Sequence, residues 1–253
     1  MKLVFDNKFD SIVVVGDIHG EIKSLVFKIT QQYNIKNSLI IVAGDVGLGF
    51  EKDNRYLELF KRMATKLKKT GNTLLFVRGN HDRKDMWLDD PIYKKYWQTG
   101  NSNIRLIKDY TVITAETDRG IANILCVGGA ISVDRVARTL NNNYWLNEVF
   151  VYDEDLVKDL VGITHVITHS APDFCEPTTK VGIEEWISLE GKNGTLGEDC
   201  DKERADHTLL YNKLKEKNTI NKWCYGHYHW SKFDEFDGTL FKLLDIMELY
   251  EIW

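Results

Sequence analysis

A short apolar run followed at once by a polar cluster of Gly, Asp, Asn or His recurs along this chain. Ser11–Val15 (SIVVV) runs into Gly16-Asp17-Ile18-His19-Gly20, and Ser38–Ala43 (SLIIVA) runs into Gly44-Asp45-Val46-Gly47. Thr73–Val77 (TLLFV) leads to Arg78-Gly79-Asn80-His81-Asp82, Ile163–Thr168 (ITHVIT) to His169-Ser170, and Asn221–Tyr225 (NKWCY) to Gly226-His227-Tyr228-His229. Runs this short, apolar on both alternating faces, predict buried strands. Between the first three runs lie helical patterns. Glu21–Tyr33 carries Ile22, Leu25, Val26 and Ile29 at helical spacing. Arg55–Lys69 carries Tyr56, Leu59, Phe60, Met63 and Leu67, and Gly71 stands just beyond it as a stop. Strand–helix–strand alternation predicts parallel strands with covering helices. Right-handed crossovers then set the carboxyl ends of those strands along one edge.

The middle of the chain changes character. Ile104–Ile107, Tyr110–Ala115 and Ile121–Val127 are short β-like runs separated by turn residues, which predicts an antiparallel meander or second sheet. The end repeats the pattern with Lys232–Phe236, the turn Asp237-Gly238, Leu240–Ile246 and Glu248–Trp253, and Asp-Gly between such runs signals a hairpin. Residues 171–205 hold Gly182, Gly191, Gly194 and Gly197 among several charges and read as an irregular, functional stretch. They do not read as a separate domain. The expectation is one α/β domain over residues 1–253, because domains of ~200–250 residues are common in this class.

Composition narrows the function classes. Hydrophobic residues make up 43% and charged residues 28%, which suits a soluble globule and argues against disorder. With only 3 Pro there is no proline-rich linker to divide the chain. No apolar run approaches the ~18–20 residues of a membrane helix. The opening MKLVFDNKFD lacks a basic-then-apolar signal, so the cytoplasm is the expected compartment. Lys plus Arg is 33 against 38 Asp plus Glu, a net charge of −5. That excludes a generally basic nucleic-acid coat but not a local basic pocket, so a nucleic acid enters only as a substrate. Cys126, Cys175, Cys200 and Cys224 stand far apart and read as reduced core thiols, not as a zinc knuckle or a disulfide framework.

In an open sheet, ligands bind beyond the strand carboxyl ends, so the five polar clusters should converge. Their inventory is Asp17, Asp45, Asn80, His19, His81, His169, His227 and His229, plus Asp82. Carboxylate with imidazole suits Mn, Fe, Zn, Ni or Co better than Ca, which prefers oxygen alone. So many ligands exceed what one ion uses. The Gly beside each cluster permits close backbone approach to an ion or anion. The spacings Asp17/His19 and His227/His229 would place alternate side chains on one side of an extended segment. Each piece alone has a bland reading: a Gly-Asp pair is usually a turn, and a lone His after a strand is usually structural. The five together, in this order, point to metal.

GDIHG, GDVG, GNHD, a strand-terminal His and GHYH, running from Asp17 to His229, resemble the calcineurin-like metallophosphoesterase superfamily. The resemblance implies a β-sandwich of two mixed sheets flanked by α-helices. It implies that Asp17, His19, Asp45 and His229 bind one metal ion and that Asp45, Asn80, His169 and His227 bind a second, with Asp45 bridging. His81 would contact substrate. The implied activity is hydrolysis of a phosphomonoester or phosphodiester. Two ions ~3.5–4 Å apart clamp the phosphate and lower the pKa of a bridging water, which attacks in line. His81 then protonates the leaving oxygen, a transfer that typically contributes ~10²–10⁴-fold. Asp82 either supports the loop that carries His81 or simply bonds loop backbone.

GDIHG and the run Arg78-Gly79-Asn80-His81 also resemble the phosphoprotein phosphatases and the diadenosine tetraphosphatases. Those have G-D-x-V-D-R-G, with an Asp that supports the catalytic His and an Arg that grips phosphate. Here Leu48 and Gly49 stand at those two positions, and Asp82 replaces the Glu of their G-N-H-E. These departures weaken a Ser/Thr-phosphatase assignment and require a phosphate clamp from elsewhere. Arg83, Arg135 and Arg138 are the candidates, since Arg suits bidentate phosphate contact. Tyr144 and Trp145 are placed to stack on a substrate ring or to pack in the core. His165 and His207 fall outside the motifs and receive no role. The competing function is a catalytically silent scaffold of the same fold, which would show missing ligands or a replaced His81; here all are present. A nuclease acting with a partner gains little support from the net charge of −5.

Overall fold

The computed structural model describes residues 1–50, 53–84, 87 and 103–253. Strands β2 (Ser11–Val15), β3 (Ser38–Val42) and β4 (Thr73–Phe76) are buried on both faces, and their alternation shows what covers each face. Val13, Val15, Ile40, Val42, Leu74 and Phe76 pack with Leu25, Ile29, Phe60 and Leu67 of helices α1 (Ile22–Phe27, continued as a π-turn at Lys28–Gln32) and α2 (Asp53–Lys69). The residues between them, Ile12, Val14, Leu39, Ile41 and Leu75, face a second sheet instead. Fully burying an aliphatic side chain of this size stabilises by ~1.5–3 kcal/mol, so both layers are needed to hold the sheet.

This first sheet has the order β12-β2-β3-β4-β5, with β5 at Ile104–Leu106 and β12 at Leu249–Glu251. Only β12 runs antiparallel to its neighbour. The second sheet has seven strands in the order β1-β6-β7-β8-β9-β11-β10. They are β1 (Lys2–Lys8), β6 (Thr111–Thr117), β7 (Gly120–Val127), β8 (His165–Thr168), β9 (Lys222–Tyr225), β10 (Lys232–Phe236) and β11 (Thr239–Leu243). Its outer face is covered by Leu210, Tyr211 and Leu214. These belong to α5 (Leu196–Lys215), which among the described residues follows α3 (Glu154–Val157) and α4 (Glu184–Glu190). Two mixed sheets flanked by helices is the expected architecture.

Register brings the strand ends level. Val15 pairs with Val42 and Val42 with Phe76 in one sheet. Val127 pairs with Thr168, Ile167 with Cys224 and Tyr225 with Leu243 in the other. The chain therefore leaves β2, β3, β4, β8 and β9 along one rim.

Two expectations need correction, and one strand is new. Ile104–Leu106 joins no meander: it pairs parallel with β4 and buries Ile104 and Leu106 under the α1–α2 layer. Only β6 and β7 form the expected antiparallel pair. Residues 171–205 are not irregular throughout, for α4 and the start of α5 lie inside them. Their glycines punctuate helices, and Gly191, with φ 82, is the C-cap of α4. Strand β1 has no counterpart in the sequence pattern; it adds parallel to β6 as an edge.

His165 and His207 are both buried, and one ring nitrogen of each, Nε2, has no hydrogen-bond partner. Burial, then the nearby Lys222 ammonium, pushes the His165 imidazole down to about 4. Burial, helped by Arg204 and outweighing the Glu203 carbonyl, pushes His207 down to about 3. The folded values lie below the ordinary 6.5, so the unfolded chain takes up the proton first. Their contribution is complete above the unfolded value and is lost as pH falls towards the folded one, on the order of 3 kcal/mol for His165 and about 5 kcal/mol for His207. Urea unfolding at neutral pH and near pH 4 is expected to show a smaller acid loss for His165→Leu than for the parent. Equal losses would mean the ring does not titrate as described.

Candidate metal centre

Asp17 follows β2 by one glycine and is fully buried. Its Oδ1 and Oδ2 accept the His227 backbone N–H at 3.0 and 3.2 Å. Gly226 makes this approach possible, since a Cβ there would stand 2.1 Å from Asp17 Oδ1. Asp45, beyond β3, is buried as well and accepts the His81 N–H on Oδ1 at 2.9 Å. Gly79 has the same role there: its Cβ would meet Asp45 Oδ1 at 2.1 Å.

Imidazoles surround the two carboxylates. His229 Nε2 lies 3.1 Å from Asp17 Oδ2 and 3.0 Å from His19 Nε2. Asp17, His19, Asp45 and His229 each offer a ligand atom, all within 4.8 Å of one another. On the other side of Asp45, His169 donates from Nδ1 to the Ala43 carbonyl at 2.8 Å, which aims Nε2 inward. That nitrogen is 3.1 Å from Asp45 Oδ1 and 3.0 Å from Asn80 Oδ1. The His227 ring stands 5.0 Å from the His169 ring. The strand ends thus bring Asp17, His19, Asp45, Asn80, His81, His169, His227 and His229 together.

The donor set fits metal. Burial opposes a charged His169, but the Asp45 and Asp17 carboxylates outweigh it and raise it to about 10. Burial likewise opposes a charged Asp45, and His169 and His81 hold it well below the usual carboxylate range. The hydrogen bond to Asp17 leads in raising His229. Burial, then the charge on His169, pushes His227 down. Buried carboxylates that draw a proton onto an inward imidazole nitrogen would accept a divalent cation in its place, with release of the proton.

The backbone differs from expectation here. His19, Asp45, His227 and His229 have φ of 42, 48, 71 and 52, in the left-handed region. The D-x-H and H-x-H pairs therefore converge by tight turning and not along extended chain. Such conformations cost of order 1–3 kcal/mol each and persist where surrounding structure enforces them. Sequence spacing carries no sign of this.

The family model of the calcineurin-like phosphoesterases matches residues 11–231. The chain belongs to that family. No curated protein sequence matches it. Similar solved structures include the phosphopantetheinyl hydrolase from Mycobacterium tuberculosis, at 14% identity and a TM-score of 0.47, covering 96% of this chain and 96% of that one. The 5′-nucleotidase precursor from Thermus thermophilus matches at 13% identity and 0.47, covering 94% and 49%. GAP50, the anchor in the inner membrane complex of Plasmodium, matches at 12% identity and 0.47, covering 93% and 71%. The chain spans about half the length of the nucleotidases it matches, 48% and 49%. Among its described residues, no helix is long and apolar enough to cross a membrane.

The remaining candidate residues of this phosphoesterase chain fall in different places. Asp82 is buried and accepts the N–H groups of Val46, Leu48 and Gly79 at 3.1, 2.8 and 2.8 Å. Burial, then Asp45, raises its carboxyl to about 6 against those bonds. Asp82 thus ties the loop after β3 to the loop after β4. Arg138 reaches His81, its guanidinium nitrogens 2.7 and 2.9 Å from the two ring nitrogens, while Asp134 grips it at 2.5 and 2.8 Å. Burial and, against the Asp45 carboxylate, the Arg138 charge lower the His81 pKa. Arg135 lies apart: it pairs with Glu190, with Asp199 at 2.8 Å and with Thr195 at 3.1 Å, and a clamp role meets a guanidinium already engaged. Arg83 and Trp145 line a cavity of about 450 Å³ with Leu140 and Leu146. Tyr144 is half-buried beside them.

Sequence reasoning missed how Asn80 is oriented. Its Nδ2 donates to Ser132 Oγ at 3.0 Å, and the Ser132 N–H donates to Glu148 Oε1 at 2.8 Å, all three residues being buried. The amide oxygen is thereby turned toward His169. The run Gly128–Asp134 after an apolar strand is the one signal of this in the sequence.

Gly226→Ala is expected to displace Asp17 and weaken metal retention about 10–100-fold, the range seen when a ligand loses its support. Metal analysis after dialysis checks this, with circular dichroism as the fold control. Undiminished retention in a folded variant would show that Asp17 does not need that approach.

Proposed function

We propose that this chain is a two-metal phosphoester hydrolase acting on a phosphomonoester or phosphodiester, with His81 as general acid. The observation that carries the reading is the division of labour on Asp45. Its Oδ1 faces His169, while its Oδ2 faces His19 at 3.9 Å and His81 at 3.6 Å. A carboxylate with ligand groups on both oxygens is suited to be shared. Asp17, His19, Asp45 and His229 would hold one cation; Asp45, Asn80, His169 and His227 would hold the other. The nitrogen-plus-oxygen donor set suits Mn, Fe, Zn, Ni or Co. Two such cations, when bound, supply charge to offset a phosphoryl group and a water acidic enough to attack it.

The chain's own residues do the rest. The bond from the His81 N–H to Asp45 fixes the loop, so the imidazole stands beside the shared carboxylate. There it can hand a proton to the departing oxygen. Arg138 stands against the same ring with its guanidinium already bonded to Asp134, His81 and the Asn143 carbonyl, so it positions the imidazole. Asp82 holds the two loops in register.

With added Mn²⁺, turnover of p-nitrophenyl phosphate or bis-p-nitrophenyl phosphate is expected, and the better substrate separates monoesterase from diesterase. No turnover of either, with any of the five metals, would sink the hydrolase and leave the silent scaffold. His81→Ala is expected to retain metal yet lose ~10²–10⁴-fold on esters with poor leaving groups. Full activity in that variant removes His81 from the mechanism. Asp45→Asn is expected to lose both ions together, and loss of only one by metal analysis would refute the sharing.

A further inference from the structure

A groove of about 780 Å³ opens beside the candidate centre. It begins at His19 and Gly20, passes Phe50 and ends on the outer face of α2. Arg55, Leu59 and Arg62 recur there at i, i+4 and i+7, which sets them in one row along the groove. Lys23 stands on the α1 side. Phe50 is 45% exposed and lines the groove, so its ring is open to a ligand there. Its ring lies 5.5 Å from the His81 ring at 69°, and the His19 ring lies 5.3 Å from His81. Two of the groove's lining residues therefore touch the group placed to protonate the leaving oxygen.

Charge narrows the occupant. Lys23 and Arg62 line the groove together with Glu21 and Glu58, so it offers cationic contacts on both its α1 and its α2 side. The volume falls in the ~300–1,000 Å³ range of small-molecule sites, more than a nitrophenyl ring fills.

We propose that this groove is a subsite for the leaving-group arm of the substrate, and that the arm carries an aromatic ring to lie on Phe50 and an anionic group to meet Lys23 and Arg62, as a nucleotide does. The inference rests on the hydrolase reading for its chemistry and on the groove for its specificity. In the reaction, water oxygen bonds to phosphorus and the bond from phosphorus to the arm breaks. The arm leaves with the proton from His81, the attacking water gives up its own proton to solvent, and solvent reprotonates the imidazole.

Two measurements test the subsite separately from catalysis. The first is turnover of 1-naphthyl phosphate against the same ester with sulfonates on its far ring. The sulfonated ester is expected to show a KM lower by about tenfold, the worth of one good charge-assisted contact. Arg62→Ala and Lys23→Ala are each expected to shrink that difference, Arg62→Glu to reverse it, and Phe50→Ala to raise KM for both esters. The second is calorimetric binding of the sulfonated naphthol alone, which needs no turnover. It is expected to bind the parent and to weaken about tenfold in Arg62→Ala, an exposed helix position whose change leaves the fold intact. Equal KM values, or naphthol-sulfonate binding that is absent or survives both Arg62→Ala and Lys23→Ala, would overturn the subsite. Binding without turnover of any ester would keep the groove and sink the hydrolase.

Discussion

Two carboxylates withdrawn from water need positive charge beside them, and the shape of this molecule follows from that need. Asp17 and Asp45 are 0% and 1% exposed. An isolated ion so placed is unstable by far more than a protein's whole margin, so it must be paired, neutralised or bound to metal. The chain supplies partial charge first, through the N–H groups of His227 and His81. Imidazoles supply the rest, with His229 on Asp17 and His169 on Asp45. Both carboxylates raise the His169 imidazole, so this place in the fold favours positive charge. Folding of the rim and binding of metal are thus one electrostatic problem.

The sheets solve its geometric half. No single element could carry eight converging polar side chains, because a helix or strand presents only one face to one place. Level strand ends let five separate turns each contribute one or two groups. The cost appears as left-handed backbone at His19, Asp45, His227 and His229. Rigid support offsets that cost: Asp82 joins two of the turns, and Ser132 with Glu148 fixes the Asn80 amide. Ile12, Val14, Leu39 and Ile41 keep the two sheets from sliding apart beneath.

What was legible in the sequence was what depends on residue identity. Asp17, Asp45, Asn80 and the histidines are chemically distinctive, and each follows an apolar run, so their convergence could be argued before any fold was known. The two mixed sheets followed from the same runs and from the family resemblance. What depends on long-range pairing was hidden. Ile104–Leu106 looks like any short β run, and only its ladder to β4 assigns it to the first sheet. Strand β1 leaves Val4 59% exposed and shows no face apolar enough to mark it. The glycines at 182, 191 and 194 read as loop because their role as helix boundaries needs the helices to be seen. Nor does spacing along a motif reveal the sign of φ, so the turned histidines look extended from sequence alone.

Leu48 and Gly49 show how the loop after β3 is held by its neighbours. Leu48 is fully buried, and its N–H is held by Asp82, so the loop is anchored from the neighbouring turn. Gly49 has φ 127, and a Cβ there would stand 2.9 Å from the Trp145 ring and 3.1 Å from Arg83 Cβ. The missing side chain is what lets the segment carrying Trp145 close over this loop. That same segment delivers Arg138 to His81. A Cβ at position 49 would collide with Trp145 and Arg83 where they stand, so the loop as folded closes around glycine.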